Sequence, residues 1–270
     1  MADRTFLDWP FFEDRHRALA AEIEAWAEAN VSALADHHDI DGSCRRLVEA
    51  LGQAGFLRFA APADGVFDVR SLCLIRETLA RFDGLADFAF AMQGLGSGSM
   101  TLAASDEIKA RVLPGVRDGS VVAAFALTEP EAGSDVAQIQ LSATPAGNDA
   151  IRLDGEKIWI SNGGIADHYV VFARSGEAPG ARGLSAFLMP ADTPGLSIAE
   201  RIEVIAPHPL ARLRLDGVRL PAGALIGEAG AGFKVVMAVL DLFRATVGAA
   251  ALGFARRALD EALARVHRPR

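Results

Sequence analysis

Apolar and polar positions recur with two different periods along this chain, and the changeovers divide it into three stretches. Over residues 11–35, Phe12, Leu19, Ile23, Trp26 and Leu34 fall at steps of three, four, seven or eight, with Glu and Arg between them. That spacing predicts an amphipathic helix with one buried stripe. Asp41 and Gly42 are a turn signal, and Ser43 is placed to cap a second helix ending at Gly55. Asp68 can cap a third, with Val69, Leu72, Cys73 and Leu79 on one face, stopped by Asp83 and Gly84. Residues 86–103 are small and apolar on every side, which predicts a helix buried over most of its surface. Ser105, followed by Asp106 and Glu107, starts a further short helix that Leu113 and Pro114 end.

The pattern then changes. Residues 121–127, VVAAFAL, are a short apolar run, while 138–144, QIQLSAT, and 211–215, ARLRL, alternate with period two. Further strands are expected at 150–160, 168–174 and 184–190, separated by turns such as PAGND. With no helical spacers between them, these strands should form an antiparallel sheet. From Gly232 the helical period returns. Phe233, Val236, Met237, Leu240 and Val247 share a stripe on a helix that reaches about His267. A helix with one apolar stripe needs a bundle partner, and no partner helix follows it in the chain. The expectation is an α+β multidomain protein: a helical N-terminal domain (1–118), an antiparallel β middle domain (119–222) and the start of a C-terminal helical bundle (223–270).

Composition narrows the function. Half of the 270 residues, 51%, are hydrophobic, enough for a sizeable core. The net charge of −8, with Arg and acidic residues interspersed, argues against nucleic acid as a partner. The two cysteines, Cys44 and Cys73, lie in helical segments and read as free thiols of a reducing compartment. No Cys/His cluster has metal-ligand spacing, so no metal is expected. The N-terminus lacks a signal-peptide pattern, and no uninterrupted apolar run is long enough to span a membrane. A soluble cytoplasmic chain without a membrane partner is the expectation.

The stretch 125–134, FALTEPEAGS, is the richest in chemistry. A strand leaving through Thr128 offers a hydroxyl at its exit. Pro130 stops the ladder, Gly133 permits a positive φ or close ligand approach, and Ser134 with Asp135 adds a hydroxyl and N–H groups suited to a pyrophosphate. These residues read equally as a polar β-turn, and Trp159 alone reads as core. Gly94, Gly96 and Gly98 superficially suggest a dinucleotide loop, but no strand precedes them, so close helix packing is the better reading. His37 and His38 beside Asp39 read as a solvated loop. Residues 227–232 read as a turn into the last helix.

Three segments together change that balance. FALTEPEAGSDVA, LDGEKIWISNGGIADHYVVFAR and LIGEAGAGFKVVMAVLDLFR resemble, in this order and spacing, successive signatures of the acyl-CoA dehydrogenase family. The resemblance covers essentially the whole chain. It implies an FAD-dependent α,β-dehydrogenation of an acyl-CoA thioester, with electrons passed on to an electron-transfer flavoprotein. By motif position, Phe125, Leu127, Thr128, Gly133 and Ser134 would line the flavin, with Ser134 also near the pantetheine arm of coenzyme A. Trp159 would pack on a flavin face, next to Ile160, and the Ser161 hydroxyl would approach the reactive edge. Asp241 and Arg244 match the segment that contacts coenzyme A, although Arg244 also reads as a salt-bridge residue of the bundle. The small residues of 86–103 would line the acyl pocket. A homo-oligomer, or assembly with a related partner subunit, is implied.

Two features depart from the family pattern. The catalytic glutamate is not identifiable: most members carry it beyond the equivalent of residue 270, and a minority carry it just before the arginine, where this chain has Phe243. The chain therefore reads as C-terminally incomplete. Arg268 or Arg270 stands near the position of an arginine that grips FAD from a neighbouring subunit. Rival expectations are a catalytically inactive dehydrogenase-like subunit, and a flavin monooxygenase or acyl-CoA oxidase on the same fold.

Overall fold

The computed structural model describes residues 3–147, 149–176 and 178–267. Arg268 and Arg270 lie outside the described residues. The first part is helical, as the periodicity predicts. Helix α1 (Asp14–Leu34) buries Leu19, Ile23, Ala27 and Val31, a stripe at steps of four. Helix α2 (Ile40–Gln53) begins earlier than expected. Asp39 is its cap, accepting from the Gly42 N–H at 3.0 Å, so Asp41 and Gly42 lie in the first turn. Ser43 is buried inside the helix and bonds the backbone of Asp36 instead of capping. Asp caps at least as well as Ser, and the earlier start places Leu47, Val48 and Leu51 in the core.

A single turn, α3 (Leu57–Ala60), precedes α4 (Val69–Phe82), which Asp68 caps as expected. Helix α5 (Gly84–Ala103) is capped by Asp83 and is almost wholly buried. Helix α6 (Asp106–Asp118) is capped by Ser105 but does not stop at Pro114; it runs on to Gly119, whose φ of 81° ends it. Pro114 and Ala110 are both exposed, so the one carbonyl deprived of its donor faces solvent.

Among the described residues, eight strands form one sheet: β1 (Ala123–Ala126), β2 (Ser142–Pro145), β3 (Ala150–Ser161), β4 (His168–Arg174), β5 (Leu184–Pro190), β6 (Leu196–Arg201), β7 (Leu210–Pro221) and β8 (Leu225–Ile226). The order is β6-β7-β3-β2-β4-β5-β8, with β1 paired to β4. Most pairs are antiparallel, but β1 and β4 run parallel from Ala123/His168 to Ala126/Val171, and β2 meets β4 in parallel at Ser142/Arg174. The hairpin β2–β3 lies between them in sequence and makes a connection long enough for parallel pairing. Residues 138–141 are not strand; Val136–Gln138 is a 3₁₀ turn, and Ile139 and Leu141 alternate because both are buried. Strand β6 had no sequence signal because five of its six residues are exposed.

Helix α7 (Gly232–Val266) returns from the sheet onto α4 and α5. Its bundle partner thus precedes it in the chain. The buried stripe runs through Val235, Val236, Val239, Phe243, Thr246, Ala250 and Gly253. Val247, expected on it, is 59% exposed, because it lies one residue past Thr246 and so about 100° round the helix. Helix α7 is long and apolar enough, by length and composition alone, to cross a membrane, with Asp241 and Arg244 interrupting its apolar run; 39% of its most apolar window is buried. Its outer face carries Leu252, Phe254, Leu259 and Leu263.

The glycines of α5 set the spacing of the core. An added Cβ at Gly94 would stand 2.5 Å from the Phe243 ring, and one at Gly98 3.1 Å from Val239, so this face receives α7. Gly96 faces Ala123 of β1. Close packing, not a dinucleotide loop, accounts for all three. Cys44 is buried and Cys73 half-buried, both free, and burial pushes both thiols up.

Candidate functional site

Strand β1 is fixed before it reaches the site. The buried Gln93 donates to the Val121 carbonyl at 2.7 Å and accepts from the Ala123 N–H at 2.9 Å. Asn162 donates to the Ala123 carbonyl at 2.9 Å. The strand then leaves through Leu127 and Thr128 into a turn over 129–132, closed by reciprocal bonds between the backbones of Glu129 and Ala132 at 3.0 and 3.2 Å. Phe125 is half-buried with its ring edge on Phe172, and Leu127 is buried, so both support the exit from below.

Gly133 does not adopt the positive φ that its sequence context allowed. Its backbone is ordinary, because the 129–132 turn has already reversed the chain. A Cβ there would meet nothing within 4 Å, so the face is open to close approach. Ser134 beside it is exposed, and Asp135 caps the following 3₁₀ turn through the Ala137 N–H at 3.2 Å. Among the described residues, the hydroxyls of Thr128, Ser134 and Ser161 have no partner within the chain.

The second half of the site is a bulge in β3. Lys157 pairs with Leu213 and Ile160 with Ala211, so β3 carries one residue more than β7 over this interval. Trp159 sits in the bulge with φ 59°, left-handed for a bulky side chain, and is 54% exposed. That conformation costs about 1–2 kcal/mol, and bulges of this kind re-aim a side chain. Trp159 is therefore not core, the reading its type alone favoured. Ile160 is buried, and Ser161 ends the strand half-buried. The Ile158 N–H donates to the Thr128 carbonyl at 2.9 Å, which sets the bulge beside the strand exit.

Below both lies an ion pair that the sequence reading missed. Lys157 is fully buried and Glu129 is 7% exposed. The Lys157 Nζ donates to Glu129 Oε1 and to the Leu127 carbonyl, each at 2.9 Å. The same carboxylate accepts the N–H groups of Gln140 at 2.7 Å and Leu141 at 2.9 Å. Burial pushes the Lys157 ammonium down to about 8, against the pull of Glu129. No local signal marked it: Lys157 directly follows Glu156, and Glu129 lies beyond the strand, between Thr128 and Pro130 and close to Glu131.

The structure does not bring the α7 pair into this cluster. Asp241 and Arg244 are exposed and face each other at 3.3 Å, the salt bridge that was the alternative reading of Arg244. Helix α5 stands between β1 and α7. Phe243, between them in sequence, is buried against Phe67 and Gly94. His37 is paired with Asp83 at 2.8 Å. Taken together, residues 125–134 and 159–161 form a ledge with an indole face, three free hydroxyls and an open backbone. That ledge can seat a flat heterocycle with polar edges and a polyanionic tail.

Comparison with known proteins bears on the whole chain. The family models for the N-terminal, middle and C-terminal domains of acyl-CoA dehydrogenase match residues 13–120, 124–218 and 230–270. The chain is 38% identical over 259 residues to the probable acyl-CoA dehydrogenase fadE25 of Mycobacterium leprae, covering 93% of this chain and 66% of that protein. It thus spans just under two thirds of the length of that curated relative. Among solved structures, butyryl-CoA dehydrogenase from Megasphaera elsdenii is similar with TM-score 0.84 and 30% identity, over 96% of this chain and 70% of that one. A chain from the structural study of the electron-transferring flavoprotein of Acidaminococcus fermentans is similar with TM-score 0.85 and 31% identity, over 93% and 68%.

Proposed function

This chain belongs to the acyl-CoA dehydrogenase family, and from that premise we propose that it serves the FAD-dependent α,β-dehydrogenation of an acyl-CoA thioester to an enoyl-CoA. The observation that carries this reading is Trp159, held half-exposed in a left-handed bulge beside the Thr128 exit. An exposed indole kept at a conformational cost is an aromatic platform seeking a flat ring.

The residues on the ledge fit FAD. The Trp159 indole presents a face to the ring system. The Thr128 hydroxyl and neighbouring N–H groups bond the ring edge, supported by Phe125, Leu127 and Ile160. Ser161 brings a hydroxyl to the reactive edge. Ser134 and the open backbone at Gly133 receive the pyrophosphate and the adjoining pantetheine arm. When bound, FAD supplies the hydride acceptor. Asp241 and Arg244 contact the coenzyme A portion of the substrate. We assign the domains to residues 1–118, 119–222 and 223–270. An electron-transfer flavoprotein as electron acceptor is supported by the likeness to the Acidaminococcus fermentans chain. A homo-oligomer or a related partner subunit, and a cytoplasmic location, complete the reading.

A second reading has its own observation. At the α7 position where some members carry the base, Phe243 is buried in the core and accepts no proton. The base of this chain's reaction therefore comes from outside these 270 residues, and a dehydrogenase-like subunit that takes it from a partner chain is the second reading. One experiment addresses both. The purified 270-residue chain is titrated with FAD, followed by visible absorption beside a sizing column, and acyl-CoA thioesters are then added. Stoichiometric flavin that bleaches supports the dehydrogenase. Bound flavin that does not bleach supports the partner-dependent subunit. A monodisperse protein that takes up no FAD overturns both.

A further inference from the structure

The Lys157–Glu129 pair connects the two halves of the ledge, and its bonds end on the residues that flank the site. Lys157 reaches the carbonyl of Leu127, one residue before Thr128, and the carboxylate of Glu129, one residue after it. Lys157 itself stands two residues before Trp159, and the next residue, Ile158, bonds Thr128 directly. Three consecutive residues of the exit are thus tied to two consecutive residues of the bulge. Glu129 adds bonds to the N–H groups of Gln140 and Leu141, which fix the far side of the 129–132 turn.

Stability alone does not account for such a pair. Two apolar side chains of similar volume would fill the space at equal or lower free energy, because they carry no desolvation penalty. What an apolar pair lacks is direction. A left-handed tryptophan persists only where its surroundings over-determine it. If the extra residue slipped out of the bulge, the strand alternation would turn the indole to the opposite face of the sheet.

Resting on the FAD reading above, we propose that Lys157 and Glu129 are positioning residues for the flavin ledge: their buried pair locks the Thr128 exit against the Trp159 bulge and so aims the indole. Neither residue touches the cofactor. Their effect passes through Thr128 and Trp159.

The test uses the 270-residue chain with Trp9→Phe and Trp26→Phe, leaving Trp159 as the only tryptophan. Into it are placed Lys157→Met, the double substitution Lys157→Met/Glu129→Leu, and the conservative Lys157→Arg. Two readouts are taken: quenching of Trp159 emission by acrylamide without cofactor, and FAD affinity with the visible circular dichroism of bound flavin. The proposal expects the double variant to keep its far-ultraviolet circular dichroism and its unfolding cooperativity. It also expects altered quenching of Trp159, FAD binding weakened about tenfold or more and a changed flavin dichroism, with Lys157→Arg recovering part of each. A folded double variant with unchanged Trp159 quenching and unchanged FAD binding overturns it. Global unfolding of the double variant overturns it too, since the pair would then be a folding element. A parent chain that takes up no FAD counts against the functional reading, while the quenching arm still decides whether the pair aims Trp159.

Discussion

Helix α5 and strand β1 meet backbone to backbone at Gly96 and Ala123: a Cβ on Gly96 would stand 2.7 Å from the Ala123 carbonyl carbon. One turn earlier on α5, Gln93 bonds both the Val121 carbonyl and the Ala123 N–H. The helix therefore sets where β1 lies, and β1 carries Thr128 to the ledge.

Gly96→Ala is expected to lower stability by about 1–3 kcal/mol, because the clash outweighs the gain in helix propensity of up to about 1 kcal/mol. Gly133→Ala, where nothing lies within 4 Å and φ is ordinary, should change it by less than about 0.5 kcal/mol. Urea unfolding of the two variants side by side measures the contrast.

Arg76 and Asp87 form a two-pronged buried pair, Nε–Oδ1 at 2.8 Å and Nη2–Oδ2 at 2.7 Å, and Arg76 also donates to Thr246 of α7 at 2.9 Å. Burial pushes the Asp87 carboxyl up, against the pull of Arg76. Asp87→Ala strands a buried guanidinium and should cost about 3–5 kcal/mol. Arg76→Met/Asp87→Leu removes both desolvation penalties and should cost much less than the sum of the single changes. Unfolding midpoints of the single and double variants decide it.

His168 is buried, and its Nε2 has no partner among the described residues. Burial pushes its imidazole down from 6.5 to about 4, against the pull of Asp167. Between those values the unfolded chain binds a proton that the folded chain refuses, so stability rises with pH across the window and falls as pH drops from 6.5 towards 4. His168→Gln should flatten that part of the curve, measured as the difference in urea stability between the two proteins over a pH series.

Trp159 holds a positive φ while staying half-exposed, so its conformation opposes stability and its burial contributes little. Trp159→Gly is expected to leave stability unchanged or raise it by about 1 kcal/mol. On the proposed function it weakens FAD binding at the same time. Thermal unfolding and an FAD titration on the same preparation check the two opposite effects; a loss of stability without loss of FAD would remove the platform role.

Much of the ledge was legible in one dimension. The FALTEPEAGS and WIS segments marked two strand ends rich in hydroxyls, and the structure puts those ends side by side. The bulge was not legible, because a left-handed position usually announces itself by Gly or Asn, and here it holds Trp159. Nor was the pair beneath it, since Lys157 and Glu129 lie 28 residues apart and no local period relates them. Strand β6 escaped because an exposed strand carries no hydrophobic alternation.

The sequence by itself determined most of the helices and strands, where most helices are capped, and which family the motifs belong to, because these depend on neighbours within a few residues. Only the tertiary structure decided which elements meet. Helix α7 packed one face on α4 and α5, β1 paired parallel with β4, and a buried lysine and glutamate joined the exit to the bulge. A hydrophobic stripe specifies that a face must be covered but not by what, since burial is non-directional. The choice falls to shape at Gly94, Gly96 and Gly98 and to the charge pairs that only one arrangement satisfies.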